Sequence, residues 1–170
     1  MDFELQPTLT GELVQLRPLR ADDFDALFAA ASDPLIWEVH PEPTRYQREV
    51  FQRFFDGGMA SGGAFAVVDR KTGRIIGSSR YHDYKAGPPS EIEIGFTFLE
   101  RAYWGGGYNA EMKRLMLDHA FRFVERVVFT VGENNLRSRR ALEKIGARHA
   151  GLADRPTADG SPNLLYEIKR

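Results

Sequence analysis

The sequence contains no cysteine, which excludes both a disulfide framework and a thiol nucleophile. It also lacks a surplus of charge, because 23 basic residues nearly balance 24 acidic ones and leave a net charge of -1. Non-specific binding of a polyanion needs a basic surface, so we expect no nucleic acid partner. The 4 histidines are scattered without the spacing of metal ligands, and we expect no metal.

Long hydrophobic runs are absent as well. No apolar run approaches the roughly 20 residues that a membrane-spanning helix needs. The start of the chain carries Asp2 and Glu4 and lacks the basic lead and apolar segment of a signal peptide. With the absence of cysteine, these features predict a soluble, cytoplasmic protein without a membrane partner. At 170 residues, the chain has the size of one domain.

The apolar residues that are present predict strands and helices in alternation. Apolar and alternating segments predict strands at residues 13–17, 64–69, 74–84, 92–99, 127–131 and 163–169. Apolar residues at helical spacing predict helices that begin at Asp22 or Asp23 and that span residues 45–57, 110–124 and 136–145. No repeat or linker divides the sequence. We therefore predict one α/β domain, residues 1–170, with a mixed and mostly antiparallel central sheet flanked by helices.

Three glycines lie where the predicted strand at residues 92–99 gives way to the next helix. The sequence there is Trp104, Gly105, Gly106, Gly107, Tyr108 and Asn109. The first turn of a helix has N–H groups without partners and a partial positive charge, and glycines let the backbone approach an anion closely. This arrangement favours a phosphate site, although an ordinary tight connection also explains a glycine cluster.

A second unit of strand, turn and helix follows. Its helix starts near Asn135, with Ser138 three residues on, and ends before Gly146. Asn135 suits the cap of a helix, and Gly146 suits the left-handed position after a helix end. Capping alone would explain these residues.

Together, the two units resemble the GNAT N-acetyltransferase superfamily. Residues 91–99 and the Tyr-Trp-Gly-Gly-Gly run at 103–107 are similar to the family's central strand and pyrophosphate loop, and residues 135–147 resemble its second coenzyme A motif. The opening, residues 16–23, is similar to the family's first strand and helix, so the resemblance covers nearly the whole chain. The motifs look most like the branch of the ribosomal-protein N-terminal acetyltransferases, the RimJ/RimL-like proteins.

The resemblance implies that acetyl-CoA is the cosubstrate. The residues that it assigns to coenzyme A are Thr97, Phe98, Leu99, Trp104, Gly105, Gly106, Gly107, Tyr108, Asn109, Asn135 and Ser138. The backbone of the first three would pair with the pantetheine arm as an extra strand. Two positions depart from the pattern: Gly106 stands in place of a basic or amide side chain, and Asn109 in place of glycine or alanine.

Acetyl transfer needs a neutral amine, and Glu93 is the candidate general base. It lies on the central strand two residues before Gly95, and strand alternation points its side chain away from Ile92 and Ile94. Glu91 shares the face of Glu93, and two neighbouring carboxylates would raise the pKa of one of them. Alternatively, both are solvated charges on the outer face of the sheet.

The later steps also have candidates. Gly95 would permit a bulge whose backbone N–H groups stabilise the negative charge on the thioester oxygen. Many family members have a tyrosine as general acid at the position of Leu142, and leucine cannot donate a proton. Ser138 is then the candidate acid for the leaving thiolate, directly or through water, unless it only caps its helix.

The acceptor amine is not specified by the sequence. By resemblance, Trp37, His40, Tyr46 and residues 152–163 would shape its cleft, and the acceptor would be a protein N-terminus or a small-molecule amine. The resemblance also makes a homodimer through the last strands possible. A competing hypothesis is a non-catalytic acyl-CoA binding module with the same fold. A phosphate-binding NTPase is excluded, because the loop lacks the Gly-Lys-Ser/Thr ending that holds a γ-phosphate and Mg²⁺.

Overall fold

The computed structural model describes residues 2–157 and 159–170. Within them, the strands are β1 (Leu9–Thr10), β2 (Val14–Pro18), β3 (Ala64–Asp69), β4 (Ile75–Lys85), β5 (Glu91–Leu99), β6 (Arg126–Gly132), β7 (Arg148–Leu152) and β8 (Asn163–Lys169). The α-helices are α1 (Phe24–Ala31), α2 (Arg48–Ser61), α3 (Tyr108–Ala120) and α4 (Leu136–Lys144). None of these helices combines the length and apolar character that crossing a membrane requires.

All the strands join one sheet in the order β1-β2-β3-β4-β5-β6-β8-β7. Every neighbouring pair is antiparallel except β5 and β6, which run parallel. The crossover between these parallel strands contains α3, which covers one face of the sheet. The predicted mixed and mostly antiparallel sheet flanked by helices is therefore confirmed.

The bounds of β3 and β8 agree with the prediction, whereas β1 and β7 were not predicted. All five residues of β7 are exposed, and its sequence does not alternate between apolar and polar residues. The strand is extended because its backbone pairs with β8, from Arg148 opposite Glu167 to Leu152 opposite Leu164. Pairing with a neighbour leaves little signal in the side chains of an exposed edge strand.

Helix α2 begins and ends later than the predicted segment at residues 45–57. It starts after Gln47 and runs through two successive glycines to Ser61, followed by Gly62 at φ 70°. A Cβ atom at Gly58 would lie 3.4 Å from the Cβ of Ala64 and 3.2 Å from the guanidinium of Arg80. The helix tolerates Gly58 because its backbone packs closely against β3 and β4, which sequence periodicity does not reveal.

Apolar side chains fill both faces of the sheet. On the α3 face, the largest fully buried residues include Leu16, Phe65, Ile76, Tyr81, Ile92, Ile94, Met112, Met116 and Tyr166. The α1/α2 face is covered by a second cluster that includes Leu27, Trp37, Phe51, Phe54, Phe55 and Phe98. β5 contributes to both clusters, so the two faces of this strand are both part of the hydrophobic core.

One carboxylate joins α3 to β2. The Oε1 atom of Glu111 accepts hydrogen bonds from the backbone N–H groups of Leu13, at 2.8 Å, and Val14, at 3.0 Å. The carboxylate lies so close to Gly11 that a Cβ atom there would be 2.0 Å from Oε1. Glycine at this position therefore gives the carboxylate access to the edge of the sheet.

Replacing Glu111 with alanine should destabilise the protein by about 2–3 kcal/mol, because two backbone N–H groups lose their acceptor. Asp118→Ala on the same helix is the matched control: its exposed pair with Arg114, at 3.7 Å, should contribute less than about 0.5 kcal/mol. Urea unfolding followed by circular dichroism measures both. Equal free energies of unfolding for the two variants would contradict the proposed role of Glu111.

Candidate active site

The parallel strands β5 and β6 pair over a short distance and then part. The register runs from Glu91 opposite Arg126 to Glu93 opposite Val128, and the pairing stops there. Beyond Glu93, the edge of β5 that faces β6 has no strand partner in the described part of the chain. An extended chain with amide groups could add to such an open edge as a further strand.

A bulge bends β5 just after the point of separation. Gly95 of β5 lies opposite Arg80 of β4. The next pair joins Phe98 to Ser78, so β5 has one residue more than β4 between the two pairs. Phe96 lies in this bulge at φ 53°, a left-handed conformation that costs about 1–3 kcal/mol for a residue other than glycine. Such strain persists only where the surrounding structure imposes it.

The bulge was expected at Gly95, but the left-handed residue is its neighbour Phe96. Gly95 has a different structural role. A Cβ atom at Gly95 would lie 2.9 Å from Nε2 of His82. The absence of a side chain therefore leaves room for the imidazole of His82 beside Glu93.

The residues expected to bind pantetheine line the open edge. Thr97 points to the α3 face and Phe98 to the α1/α2 face, because they follow one another along β5. The carbonyl oxygen of Leu99 accepts a hydrogen bond from the indole Nε1 of Trp104 at 2.9 Å. Trp104 is in turn covered by the guanidinium of Arg137, 3.8 Å from the ring centroid. Its side chain therefore holds the end of β5 against the glycine loop.

The glycine loop leads directly into α3, which begins at Tyr108, two residues before the predicted start at residue 110. Gly105 and Gly107 have φ angles of 77° and 85°, whereas Gly106 has a negative φ. The first hydrogen bond of the helix runs from Glu111 to Gly107. The N–H groups of Tyr108 and Asn109 lie in the first turn, where no carbonyl of the helix can accept them. The loop and helix therefore present free donors near the end of β5.

The second predicted unit folds as expected at its helix start. The Oδ1 atom of Asn135, which is buried, accepts a hydrogen bond from the backbone N–H of Ser138 at 3.3 Å. The hydroxyl of Ser138 is half-buried and has no hydrogen-bond partner among the described residues. Leu142, at the position where the resemblance would place a tyrosine as general acid, is buried against the α3 face of the core. Ser138 thus combines the capping contact with a free hydroxyl.

Glu93 lies in a compact group of side chains on the α1/α2 face of the sheet. Its Oε2 atom accepts a hydrogen bond from Thr130 of β6 at 2.9 Å and is 3.4 Å from Nε2 of His82. Nδ1 of His82 is in turn 2.9 Å from Oδ2 of Asp83. One nitrogen of His82 and one carboxylate oxygen each of Asp83 and Glu93 lie within 4.8 Å of one another. The imidazole of His82 therefore lies between the carboxylates of Asp83 and Glu93, and its buried Nε2 faces Glu93 without a hydrogen-bond partner in the described part of the chain.

Burial raises the pKa of the Glu93 carboxyl above its usual range, against the opposing effects of His82 and of the Thr130 hydrogen bond. Asp83 adds to the increase by repulsion between carboxylates. A carboxylate with a raised pKa is a better proton acceptor near neutral pH. The electrostatics of the site are thus suited to general-base chemistry.

Glu91 does not act as the expected partner of Glu93. It shares the face, but its Oε1 is 2.8 Å from Nη1 of Arg126, and its Oε2 is 3.7 Å from Nζ of Lys85. These cations neutralise its charge, so the expectation that Glu91 raises the pKa of Glu93 is wrong. His82 and Asp83 are the neighbours that sequence analysis missed, because the register of β4 against β5 brings them to Glu93.

Lys113 is a second missed feature, on the α3 face of the open edge. Its side chain is buried, with Nζ 2.8 Å from Oγ1 of Thr97, which is itself 2.8 Å from Oγ of Ser79. No carboxylate pairs with it among the described residues, and burial lowers its pKa to about 7. A signal was present in the sequence, since Lys113 occupies an apolar position of α3, three residues before Met116 and four before Leu117.

One residue that was expected to shape the acceptor cleft lies in the core instead, and residue 158 of the expected segment 152–163 lies outside the described residues. Trp37 is buried, its ring is tilted against that of Phe98 with centroids 5.2 Å apart, and its Nε1 donates a hydrogen bond to the carbonyl oxygen of Ala31. It is therefore a core residue. The Nδ1 atom of His40 accepts a hydrogen bond from the backbone of Glu42, and burial lowers the pKa of His40 to about 3. His40 is neutral at physiological pH.

Comparison with known proteins gives an independent view of this arrangement. A family model described as the acetyltransferase (GNAT) domain matches residues 14–148. The Bacillus subtilis protein YnaD, named as an uncharacterised N-acetyltransferase, is 26% identical over 148 residues, which cover 85% of this chain and 84% of YnaD. The uncharacterised Bacillus subtilis protein YkkB is 31% identical over 84 residues. That match covers 48% of each protein, so it spans about half the length of YkkB.

A solved structure shares the fold. RimJ from Mycobacterium smegmatis, determined in complex with CoA-disulfide, superposes with a TM-score of 0.76 at 24% identity. The superposition covers 96% of this chain and 87% of RimJ. At this level of identity the similarity shows the common fold.

The buried lysine generates a prediction about stability. Lys113→Met should stabilise the protein near pH 6, because both folded and unfolded lysine are charged there and only the folded protein buries the charge. Between about pH 7 and pH 10, Lys113 of the unmutated protein is protonated in the unfolded state and largely neutral in the folded state. The free energy of unfolding of the unmutated protein should therefore rise with pH, and its difference from that of Lys113→Met should shrink. Urea unfolding at several pH values measures this difference.

Lys169→Met is the matched control for that measurement, because the side chain of Lys169 is 75% exposed. Its difference from the native protein should be small and independent of pH. A Lys113→Met variant that is equally unresponsive to pH would contradict a buried, shifted lysine.

Proposed function

Because the chain belongs to the GNAT acetyltransferase family, whose domain matches residues 14–148, we propose that it transfers an acetyl group from acetyl-CoA to a primary amine. The matched segment contains the open edge of β5, the glycine loop and the capped helix α4. The observation that carries the proposal is the open edge itself, which has N–H donors of the first helical turn at one end and the half-buried carboxylate of Glu93 beside it. The amine attacks directly, in a ternary complex.

The loop fits the diphosphate of coenzyme A. Gly105 and Gly107 are in left-handed conformations, and a Cβ atom at Gly105 would meet no other atom within 4 Å, so an anion can approach the backbone. A charge at a helix N-terminus contributes about 0.3–1 kcal/mol when exposed, and up to about 2 kcal/mol when partly buried. Several N–H groups must therefore act together. The amides of the pantetheine arm would pair with Thr97 and Phe98 along the open edge of β5.

The acceptor reacts only after it loses a proton. An α-amine with a pKa of about 7.7–8.0 needs about 1–1.4 kcal/mol to become neutral at pH 7, and a lysine amine needs roughly 4.6 kcal/mol. Glu93 takes this proton, directly or through one water molecule. His82, whose Nδ1 lies beside Asp83, faces the same carboxylate and stabilises the negative charge that Glu93 carries before it takes the proton.

The remaining steps complete the transfer. As the nitrogen bonds to the thioester carbon, the carbonyl oxygen gains negative charge, and backbone N–H groups beside the bulge at Phe96 stabilise it. The carbon–sulfur bond then breaks and the electrons pass to sulfur. Ser138 supplies a proton to the thiolate or relays one from water, and the second proton of the attacking nitrogen leaves through water and restores the hydroxyl. Its hydroxyl is available for this role because its backbone N–H, and not its oxygen, binds Asn135.

The acceptor is proposed to be a protein N-terminus or a small-molecule amine.

The coenzyme A ligand has support from a structural neighbour. RimJ shares the fold of this chain and was solved in complex with CoA-disulfide, which supports a coenzyme A ligand on this scaffold.

Acetyl-CoA binding can be tested by titration calorimetry of the native protein and the Gly107→Glu variant. We expect binding in the micromolar range by the native protein and its loss in the variant, because the added carboxylate repels the diphosphate. Gly62→Glu is the matched control, since Gly62 also has a positive φ, 70°, and open space around it, at the end of α2. If both variants bind as the native protein does, the glycine loop is not the diphosphate site.

Turnover tests the role of Glu93. Glu93→Gln should lower kcat by about 10² to 10⁴-fold while acetyl-CoA binding is retained, because the amide cannot accept the proton. The native rate should increase with pH through the raised pKa of Glu93, and this contribution should be missing from the variant.

Glu91→Gln is the control on the same strand and face, and its kcat should stay close to that of the native enzyme.

A different result would support the binding-module hypothesis: the native protein binds acetyl-CoA but acetylates no amine.

A further inference from the structure

A cavity of about 230 Å³ lies on the α1/α2 face of the sheet, between α2 and the bulge of β5. The phenyl rings of Phe54 and Phe96 form part of its wall. Arg80 of β4 and Arg45, which precedes α2, contribute their guanidinium groups to the lining. Glu42 is the acidic residue of the lining, and Arg53 is a third basic one. The lining therefore carries a net positive charge.

The two guanidinium groups lack anionic partners. Arg80 is only 7% exposed, and its Nη2 donates one hydrogen bond, to the carbonyl of Phe54 at 3.3 Å. Nε of Arg45 is buried and has no hydrogen-bond partner. Neither arginine forms an ion pair within 4.0 Å in the described part of the chain. A buried charge without a partner is unfavourable, so these groups favour an anionic ligand.

The electrostatics agree with this geometry. Burial lowers the pKa of Arg80 to about 10. The pKa of Arg45 is lowered to about 10 by burial and, in addition, by the charge of Arg80, while Glu42 acts in the opposite direction. Both arginines remain protonated near neutral pH. A bound anion would relieve the repulsion between them.

The aromatic rings hold the guanidinium groups in place. Cζ of Arg45 lies 4.7 Å from the centroid of Phe54, and Cζ of Arg80 lies 3.8 Å from the centroid of Phe96. A guanidinium group packed over a ring keeps the hydrogens at its edge free to donate. Two N–H groups of one guanidinium match the two oxygens of a carboxylate. The cavity is thus better suited to a planar carboxylate than to a neutral group.

The cavity adjoins the candidate base. Arg80 and His82 are two residues apart on β4, so their side chains share a face and their backbones are about 7 Å apart. Phe96 contacts both, since its ring centroid is 5.2 Å from that of His82. When the amine of an acceptor lies at Glu93, a second group of the same acceptor, a few bonds away from the amine, would therefore lie in the cavity.

We propose that the cavity binds a carboxylate of the acceptor, so that the substrate is a primary amine that also carries a carboxylate. This inference rests on the proposed acetyl transfer, because Glu93 defines where the amine lies. The carboxylate could belong to a free amino acid or to an acidic side chain near the N-terminus of a peptide. Both sources present the same chemistry to Arg80 and Arg45.

Matched pairs of acceptors test the proposal. We would measure kcat/KM for free alanine against alanine amide, in which the α-carboxylate is replaced by an amide, and for the dipeptide amides Ala-Glu and Ala-Gln. In each pair, the acidic member is the one that carries the free carboxylate. The acidic member of at least one pair should be preferred by 10-fold or more, and the pair that shows the preference identifies the source of the carboxylate. A native enzyme that favours the neutral members, or that does not discriminate in either pair, would overturn the proposal.

Variants connect the preference to the arginines. Arg80→Met should abolish the preference for the acidic acceptor while the affinity for acetyl-CoA is unchanged, and Arg80→Lys should restore part of it. Arg48→Met is the matched control, because Arg48 also packs over aromatic rings, 4.9 Å from the centroid of Phe24, but is 64% exposed and pairs with Asp25. If Arg80→Met does not fold, Arg45→Met provides the same test. An equal loss of activity with acidic and neutral acceptors would contradict a carboxylate site.

Calorimetric binding of the same four compounds, without an acyl donor, separates this proposal from the proposed function. Binding of an acidic compound that Arg80→Met abolishes, in a protein that turns over no amine, would retain the anion site and refute the acetyl transfer. Turnover of amines with no preference for carboxylates, in binding or in rate, would retain the transfer and refute the anion site.

Discussion

The early separation of β5 from β6 is the constraint on which the rest of the site depends. Three pairs of residues join the strands, and the bulge at Phe96 then turns β5 away. Backbone N–H and C=O groups of β5 that would otherwise bond to β6 have no strand partner beyond Glu93 in the described part of the chain, at the centre of an otherwise continuous sheet. The same bend points Thr97 to one face and Phe96 to the other. The early end of the pairing leaves the open edge, and the bulge of one residue arranges the side chains along it.

Cations that lack carboxylate partners are the second feature of the site. Lys113 lies on the α3 face, and Arg45 and Arg80 lie on the opposite face. Elsewhere, buried or half-buried cations are paired, as Arg17 is with Asp23 at 2.9 Å and Arg126 with Glu91 at 2.8 Å. Burial of a charge without a partner is unfavourable unless a ligand supplies the opposite charge. Among the described residues, these two scaffold cations have carboxylate partners and the three cations around the site have none, which is the pattern expected of a site for anionic ligands.

Local signals allowed much of the fold to be predicted. The alternation of residues 64–69 and 163–169 identified β3 and β8, and Asn135 identified the start of α4, because these features depend on neighbours in the sequence. The prediction failed where packing overrides local preference: Gly58 continues a helix because β3 lies close, and β7 is extended because β8 pairs with it. Glu93 was found from strand alternation alone. Its neighbours His82 and Asp83 were not, since they come from another strand.

The sequence by itself determined the family, the type of sheet, the glycine loop and the carboxylate on the central strand. Each of these follows from residues close together in the chain, whose spacing decides which way a side chain points or where a helix begins. Only the tertiary structure decided that Glu91 is neutralised by Arg126, and that Arg45 and Arg80 share a cavity beside Glu93. The physical reason is that charge pairing and burial depend on the register between strands and on the bulge in β5. These long-range positions determine which charges stay unpaired.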